Sequence, residues 1–203
     1  MDFLAHSHRH ADVILQQEKY RSHYEKFLEV IKGISDDDIV KEFEEGGREA
    51  KSISESINRL LKKRLVAEGW SSESPLFQGT KYSGNAWRLD FAGFNISVEV
   101  AFNHGEATSW NLLKPVLASE LNHVQKEIQT EIGIVITATQ EMKKAGGFDS
   151  AVGTYEKFLT YLDPMRNVLT APMMIIGLKK PETFYIAVKK IGNKNIGTPI
   201  YTI

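Results

Sequence analysis

The sequence WRLDFAGFNISVEVAF, residues 87–102, decides how the chain folds. Apolar residues alternate with other residues on both sides of Gly93, which predicts two short strands joined by a turn. The first strand carries Asp90 and the second carries Glu99, and each acid faces away from the apolar side chains next to it in its own strand. If the strands pair, the two carboxylates meet, and such a pair can bind a hard divalent cation such as Mg²⁺. Acids on the solvent face of half-buried strands are the alternative interpretation.

The composition is that of an ordinary globular protein, and we expect residues 1–203 to form one domain. Of the 203 residues 42% are hydrophobic and 25% are charged, which is enough chain to bury a sizeable core. The 25 basic and 26 acidic residues nearly cancel, so the overall charge gives no attraction to nucleic acid, although a local basic cleft is still compatible with it. The absence of cysteine excludes disulfides, thiolate catalysis and cysteine-ligated zinc.

Neither a leader nor a membrane segment is predicted. The first residues lack the basic start and the apolar run of a secretory signal, and no stretch approaches the roughly 20 apolar residues that cross a bilayer. We therefore expect a cytoplasmic protein that has no membrane partner. His6, His8 and His10 alternate, but no carboxylate or further histidine completes a metal site, so we expect an exposed, flexible start there.

Apolar periodicity predicts helices on both sides of the hairpin and further strands after it. The order of helices, hairpin, long helix, strand, helix and strands is typical of an α/β/α sandwich with a central mixed sheet. We find no Walker loop, no dinucleotide glycine fingerprint and no nucleophile elbow. The predicted helices cover residues 11–32, 52–67, 107–129 and 150–162, and a short helix capped at residues 35–38 is predicted through residue 43. The predicted later strands cover residues 132–137, 172–178 and 184–188, and a loop is predicted over residues 71–84.

The order of helix, strand with Asp90, turn, strand with Glu99 and long helix resembles that of the PD-(D/E)XK nucleases. A closer resemblance is to type II restriction endonucleases of the BglII and BstYI group, which are relatives of BamHI. It spans most of the chain, and the interval of 99 − 90 = 9 residues between the two acids agrees with the pattern of that group. The segments that carry the resemblance are residues 10–12, 58–70, 89–91, 98–102, 154–156 and 171–178.

The resemblance implies a sequence-specific enzyme that hydrolyses phosphodiester bonds of double-stranded DNA. Asp90 and Glu99 would hold Mg²⁺, and the backbone carbonyl of Val100 is a further candidate ligand. A metal-bound water of lowered pKa would attack in line, and the ion would stabilise the negative charge that develops. A symmetric recognition site implies a homodimer with one active site for each strand of a short palindrome.

One position departs from the pattern of the group. The residue two after the glutamate is a lysine in most such nucleases, a glutamine in BglII and BstYI and a glutamate in BamHI, whereas this chain has Ala101. Alanine can neither orient water nor bind a metal, so either another side chain takes this role or the protein is impaired. His104 and Asn58 are the first candidates for the missing catalytic group. The alternatives are a DNA contact for His104 and a surface position for Asn58. Other polar residues within reach are Glu55, Asn103, Glu106 and Lys114.

The same resemblance implies that DNA bases are read from two segments. One follows the glutamate strand and contains Asn103 and His104, and the other contains Lys143, Lys144 and Ser150. Asparagine can address adenine and lysine can address guanine in the major groove. The alternative for the second segment is a flexible glycine-containing loop without a partner. The helix predicted over residues 107–129 is the candidate dimer interface, or else a core helix of its own protomer.

Three other functions stand beside that of a restriction endonuclease. Ala101 favours a DNA-binding relative that has lost catalysis, which would bind specific DNA and leave it intact. A different PD-(D/E)XK nuclease, such as a repair or structure-specific enzyme, would cut without sequence preference. An enzyme acting on a small molecule is the remote alternative, because no cofactor motif is found.

Overall fold

A six-stranded mixed sheet forms the centre of the computed structural model, which describes residues 1–46, 50–120 and 123–202. Its strands are β1 (Phe3–His8), β2 (Ser71–Pro75), β3 (Arg88–Gly93), β4 (Ile96–Val100), β5 (Ile132–Ala138) and β6 (Met173–Leu178). They lie in the order β1-β6-β5-β4-β3-β2. The three inner strands β4, β5 and β6 are parallel, and β1, β2 and β3 are antiparallel to the neighbours on which they pair. The predicted central mixed sheet is therefore confirmed.

Helices cover both faces of this sheet. Along β5 the side chains of Ile132, Ile134 and Ile136 join one buried cluster, whereas Val135 joins the cluster on the other face. The first cluster packs against the four helices that precede the hairpin, and the second packs against two later helices. The helices are α1 (Ala11–Leu15), α2 (Glu18–Lys32), α3 (Asp36–Glu45), α4 (Ser54–Ala67), α5 (Thr108–Ser119), α6 (Gln140–Ala145) and α7 (Tyr155–Leu162). In the described ranges, no helix combines the length and the apolar character needed to cross a membrane.

The hairpin of β3 and β4 turns one residue later than the sequence predicts. Phe94 and Asn95 form the turn, with φ values of 55° and 61°, and Gly93 is the last residue of β3. Two central residues with positive φ are what a tight two-residue hairpin requires, because this backbone twist matches the twist of the flanking strands. Asparagine adopts this conformation at little cost, so Gly93 is not needed for the turn.

Two edge strands of the sheet lie where the sequence predicts irregular chain. Residues 1–10, expected to be flexible, contain β1, which pairs with β6, and His8 is buried with a ring nitrogen 2.9 Å from the carbonyl of Leu169. The predicted loop at residues 71–84 begins with β2, which pairs with β3. Both strands are short, and neither FLAHSH in β1 nor SSESP in β2 has the apolar alternation by which strands are recognised.

Two further strands form a separate two-stranded sheet. These are β7 (Phe184–Ile191) and β8 (Lys194–Tyr201), and they pair only with one another among the described residues. The prediction that residues 184–188 form a strand is confirmed, but this strand is not part of the central sheet. The hairpin is tied to the rest of the chain by a hydrogen bond from the Gly197 N–H to the carbonyl of Ala50, with a length of 2.9 Å.

The helix after the hairpin is shorter than predicted. α5 begins at Thr108, contains Pro115 in its interior and ends at Ser119, whereas the sequence favours a helix over residues 107–129. Beyond it, Val124 and Ile128 pack against a small buried cluster around Phe77 without forming a helix. These two apolar side chains are therefore packed from an irregular segment and not from a helix. Residues 121 and 122 of the predicted helix lie outside the described residues.

Candidate active site

Asp90 and Glu99 lie where β3 and β4 separate. The pairs Phe91↔Val98 and Ala92↔Ser97 continue to the turn, and the next pair in this register is Asp90 with Glu99. Here a side chain takes the place of a backbone acceptor: the Val100 N–H donates a hydrogen bond of 2.6 Å to the Asp90 Oδ2 instead of to a carbonyl of β3. The alternation of the hairpin thus places both acids on the same face of the sheet, opposite one another.

Glu99 is 1% exposed, and its two carboxylate oxygens have different surroundings. Its Oε2 accepts a hydrogen bond of 2.6 Å from the Lys114 Nζ on α5. Lys114 also donates to the carbonyl of Arg88 over 3.0 Å. The Glu99 Oε1 is buried and has no hydrogen-bond partner among the described residues. A buried carboxylate oxygen without a partner is costly, which indicates that the site is built for a ligand at this atom.

Both carboxyl groups are perturbed in the same direction. Burial raises the pKa of Asp90, while the hydrogen bond from Val100 and the charge of Lys114 oppose this shift. Burial, and then the neighbouring Asp90, raise the pKa of Glu99 to about 8 against the lowering effect of Lys114. Two carboxylates with one ammonium group in a poorly solvated place leave an excess of negative charge. A divalent cation would remove this excess, so the electrostatics fit a metal site.

The donor atoms fit a hard cation rather than zinc. The described residues contain no group of three histidine, aspartate or glutamate side chains that could form a metal site by themselves. A backbone oxygen can therefore contribute a further ligand. The Val100 carbonyl lies on the same side of β4 as its N–H, hence toward Asp90, and it accepts a long bond of 3.3 Å from the Phe102 N–H. Two carboxylates and a carbonyl form an oxygen-only donor set, which hard divalent ions prefer.

Ala101 contributes no polar side chain to this site. It is 2% exposed and belongs to the buried cluster that contains Leu112 and Tyr155. Its N–H donates to the Ile136 carbonyl over 2.7 Å, and its carbonyl accepts from the hydroxyl of Thr137 over 3.2 Å. The backbone at this position is thus fixed, and its side chain offers only a methyl group.

Comparison with known proteins identifies this arrangement. A family model described as restriction endonuclease BglII/BglIII matches residues 3–178. The chain belongs to the BglII/BglIII family of restriction endonucleases. Like the rest of this family it is a type II, sequence-specific DNA endonuclease, and a family of this kind works with a divalent metal ion. No curated protein sequence matches the chain.

Two solved structures share the fold of this BglII-family chain. One is the crystal structure of the restriction endonuclease BglII complexed with a DNA 16-mer, with a TM-score of 0.68 and 17% identity. The other is free BglII, with a TM-score of 0.56 and 16% identity. In both cases the comparison covers 100% of each chain. The α/β/α architecture expected from the sequence is therefore that of the BglII fold.

Of the two candidates for the missing group, Asn58 is the one that lies beside the end of β4, although the pocket that it lines includes neither carboxylate of the pair. Asn58 lies on the exposed face of α4 and lines a pocket of about 240 Å³ together with Glu55, Val100 and Asn103. The side chain of Asn103 is held by a 2.8 Å hydrogen bond from the amide of Asn111 on α5. The polar face of α4 and the end of β4 thus meet beside Val100 in this BglII-family enzyme.

His104 lies instead beside the loop before α7. Its backbone pairs with Val152. A hydrogen bond from the Ala151 N–H, then Lys51 and lastly the nearby His104 lower the pKa of Asp149. α7 begins after Thr154, so the helix predicted over residues 150–162 starts later than the sequence indicates. His104 is exposed, and no hydrogen bond to either carboxylate is found among the described residues. This position suits a contact with DNA better than a contact with the carboxylate pair.

The remaining predicted DNA contacts cluster at the end of α6. Lys143 lies in the last turn of this helix, and its ammonium group donates to the carbonyls of Ser150 and Val152 over 2.6 and 2.9 Å. Lys143 therefore shapes the loop that follows it. Lys144 and Ser150 line an open pocket of about 580 Å³ with Lys51 and part of β7, and this pocket is basic.

In the sequence, Lys114 is one of several polar residues within reach of the site. The structure places its ammonium group 2.6 Å from the Glu99 Oε2, to which it donates a hydrogen bond. The signal in the sequence is that Lys114 is the one charged residue of α5, where an unpaired buried charge is unfavourable. Its partner is 15 residues away in sequence, on another element, and could not be identified from spacing alone.

Proposed function

We propose that this endonuclease cuts both strands of double-stranded DNA within a short palindrome, as a homodimer with one Mg²⁺-dependent active site in each protomer. The observation that carries this proposal is the convergence of Asp90, Glu99 and the Val100 carbonyl, with the buried Glu99 Oε1 unpartnered. We further propose that the 203 residues act as one domain and that the enzyme works in the cytoplasm, where it meets DNA.

The residues of the site would have the following roles in metal binding and catalysis. Asp90 is held by the Val100 N–H and keeps its other carboxylate oxygen for the ion. Glu99 is held through Oε2 and presents Oε1. When bound, Mg²⁺ supplies a water of lowered pKa and neutralises charge on the phosphate. The burial of the carboxylates strengthens each of these interactions, because water no longer screens them.

Base recognition would come from the two segments around the C-terminal ends of the parallel strands. Asn103 and His104 are exposed at the end of β4, and Lys144 and Ser150 are exposed beside α6. Lys143 would act indirectly by fixing the loop through its two carbonyl contacts. Side-chain amides and ammonium groups on such a surface can address base edges in the major groove.

Dimerisation would use the outer face of the segment at residues 107–129. Within its own protomer α5 buries Leu112, Val116 and Ala118 against the sheet, while Trp110 and Leu113 are half-buried. These two side chains are partly accessible apolar positions of the helix that a second copy can cover. A two-fold axis through this region would place two identical sites on the two strands of a palindrome.

The test is digestion of a long, fully sequenced DNA by the purified protein with and without Mg²⁺, followed by mapping of the ends. Discrete fragments that need Mg²⁺ and share one palindrome are expected. Asp90→Ala should abolish cutting, whereas Asp37→Ala, which removes an exposed acid on α3, should not change it.

Other outcomes contradict the proposal in distinct ways. Fragments without a common sequence would indicate a nuclease that is not a restriction enzyme. Specific DNA binding with intact DNA would favour the second candidate function, a DNA-binding relative without catalysis, which the methyl side chain of Ala101 supports.

A further inference from the structure

A lysine from α5 lies against the carboxylate pair in the interior of the protein. The side chains of Lys114 and Glu99 are only 11% and 2% exposed, and their charged atoms are 2.6 Å apart. A second hydrogen bond joins the Lys114 Nζ to the carbonyl of Arg88 at the start of β3. An ammonium group has three N–H bonds, so one remains without a partner among the described residues.

The stability of the fold does not explain why a lysine is buried at position 114. Taking two charges out of water costs several kcal/mol for each ion, and replacing a buried ion pair by apolar residues is often neutral or stabilising. One turn further along the helix, Ala118 packs into a buried apolar cluster, so an apolar side chain would suit this face of α5. A buried charge that the fold does not need indicates a role at the site it contacts.

The position of Lys114 compensates for a feature of β4. Side chains alternate along a strand, so Glu99 and Ala101 point to the same face, which α5 covers. Beyond Glu99 this face of β4 offers only a methyl group, within a closely packed cluster. Lys114 extends from α5 toward the sheet, and its ammonium group reaches this same face of β4.

We propose that Lys114 is the positioning residue of the active site: through Oε2 it holds the Glu99 carboxylate so that Oε1 faces the place of the metal ion and the reacting phosphate, and it supplies the cationic group that Ala101 cannot. This inference rests on the proposed function, because it assigns a role within the same site. Lys114 acts through Glu99 and the Arg88 carbonyl, which ties the helix to both strands of the hairpin.

The first test compares Lys114→Met with wild type. Methionine keeps much of the volume of the side chain and removes the charge, so we expect single-turnover cleavage to slow by at least about 100-fold, as for a misplaced catalytic group. Binding of DNA without divalent ions should not change, because the buried ammonium group does not reach the surface. Lys26→Met removes a lysine that pairs with Glu68 on the surface and is the matched control. Wild-type cleavage by Lys114→Met would overturn the inference.

Chemical rescue separates the charge from the fold. The chain has no cysteine, so Lys114→Cys introduces a single thiol. In the unfolded chain its thiolate displaces bromide from 2-bromoethylamine and gains an aminoethyl group, which recreates an ammonium group at the length of lysine. Iodoacetamide gives a neutral adduct of similar size. After refolding we expect the aminoethyl adduct to cut at least about tenfold faster than the amide adduct, a difference of about 1.4 kcal/mol. Equal rates for the two adducts would refute the proposed role.

A measurement without cleavage distinguishes this inference from the proposed function. In protein with ¹⁵N-labelled lysine, the buried Lys114 ammonium group should give a protected signal that is missing in Lys114→Met. Titration with Mg²⁺ alone should shift this signal. A shift in a wild-type protein that cuts no DNA would contradict the proposed function and leave the role of Lys114 intact, whereas no shift would overturn the role itself.

Discussion

Substitution of Gly133 by alanine should damage the fold and the active site together. Gly133 lies in β5 directly under Pro115 of α5, and a Cβ atom there would lie 2.5 Å from the Pro115 Cβ and 2.9 Å from the Met173 Cγ. Ordinary contacts begin at 3.4 Å, so α5 would have to retreat by 3.4 − 2.5 = 0.9 Å. Proline has a rigid ring and cannot move out of the way by rotation, so the shift passes to the helix.

Two magnitudes follow from this displacement. Overpacking of a closely packed interior costs about 1–3 kcal/mol of unfolding free energy. Pro115 adjoins Lys114, so the same movement draws the ammonium group away from Glu99, and a displacement of about 1 Å in a catalytic arrangement can cost about 100-fold in rate. Urea unfolding measures the first effect, and single-turnover cleavage at saturating enzyme measures the second.

Gly84→Ala is the matched control. A Cβ atom at Gly84 meets nothing within 4 Å, and its φ of −70° suits any residue. We expect unchanged cleavage and a stability equal to that of wild type or higher by up to about 1 kcal/mol, because alanine restricts the unfolded chain. Gly133→Ala with wild-type stability and wild-type cleavage would refute the argument that contact between α5 and β5 positions the site.

Three further predictions concern stability. Phe158→Ala, at a side chain 1% exposed, should lower the unfolding free energy by about 3–5 kcal/mol, and a loss below about 1 kcal/mol in denaturant titration would contradict its core position. In the folded protein the pKa of Asp38 is lowered below 3.8, chiefly by the Ser35 N–H, so the ionised carboxylate stabilises the fold above pH 3.8 and this stabilisation is lost as the pH falls through the folded pKa. Asp38→Asn should therefore make the unfolding free energy depend less on pH in acid, and an unchanged dependence would exclude this role. The pKa of Glu99 is raised from 4.5 to about 8, so the folded protein must release a proton at higher pH than the unfolded chain. In metal-free buffer the unfolding free energy of wild type should therefore fall relative to that of Glu99→Gln as the pH rises between these values. Parallel plots of unfolding free energy against pH for the two proteins would show that Glu99 does not titrate this way.

The central part of the fold follows directly from the sequence. In β5 and β6 uninterrupted apolar runs predict buried parallel strands, and the structure has both. In the hairpin, Asp90 and Glu99 are the two acids of an apolar alternation, and the structure places them opposite one another. Periodicity determines these features because each strand is buried on at least one face.

The parts that could not be predicted depend on distant partners. β1 and β2 are edge strands with polar sequences, and they are strands only because β6 and β3 present free edges to them. α5 ends at Ser119 although apolar spacing continues, because Val124 finds its contacts beside Phe77 instead of in a longer helix. For the same reason the role of Lys114 could not be predicted, because it depends on the contact with Glu99 and not on the residues next to Lys114 in the sequence.

The hydrogen bond between the Val100 N–H and the Asp90 carboxylate has a consequence for experiment. Most amide protons of the sheet are held by carbonyl groups of neighbouring strands, but this one is held by an ionisable side chain. Its chemical shift and its exchange with solvent therefore follow the charge and the movements of Asp90. The backbone thus carries a natural reporter at the centre of the site, by which ion binding, protonation and DNA engagement can be followed at one resonance without any label attached to the side chains.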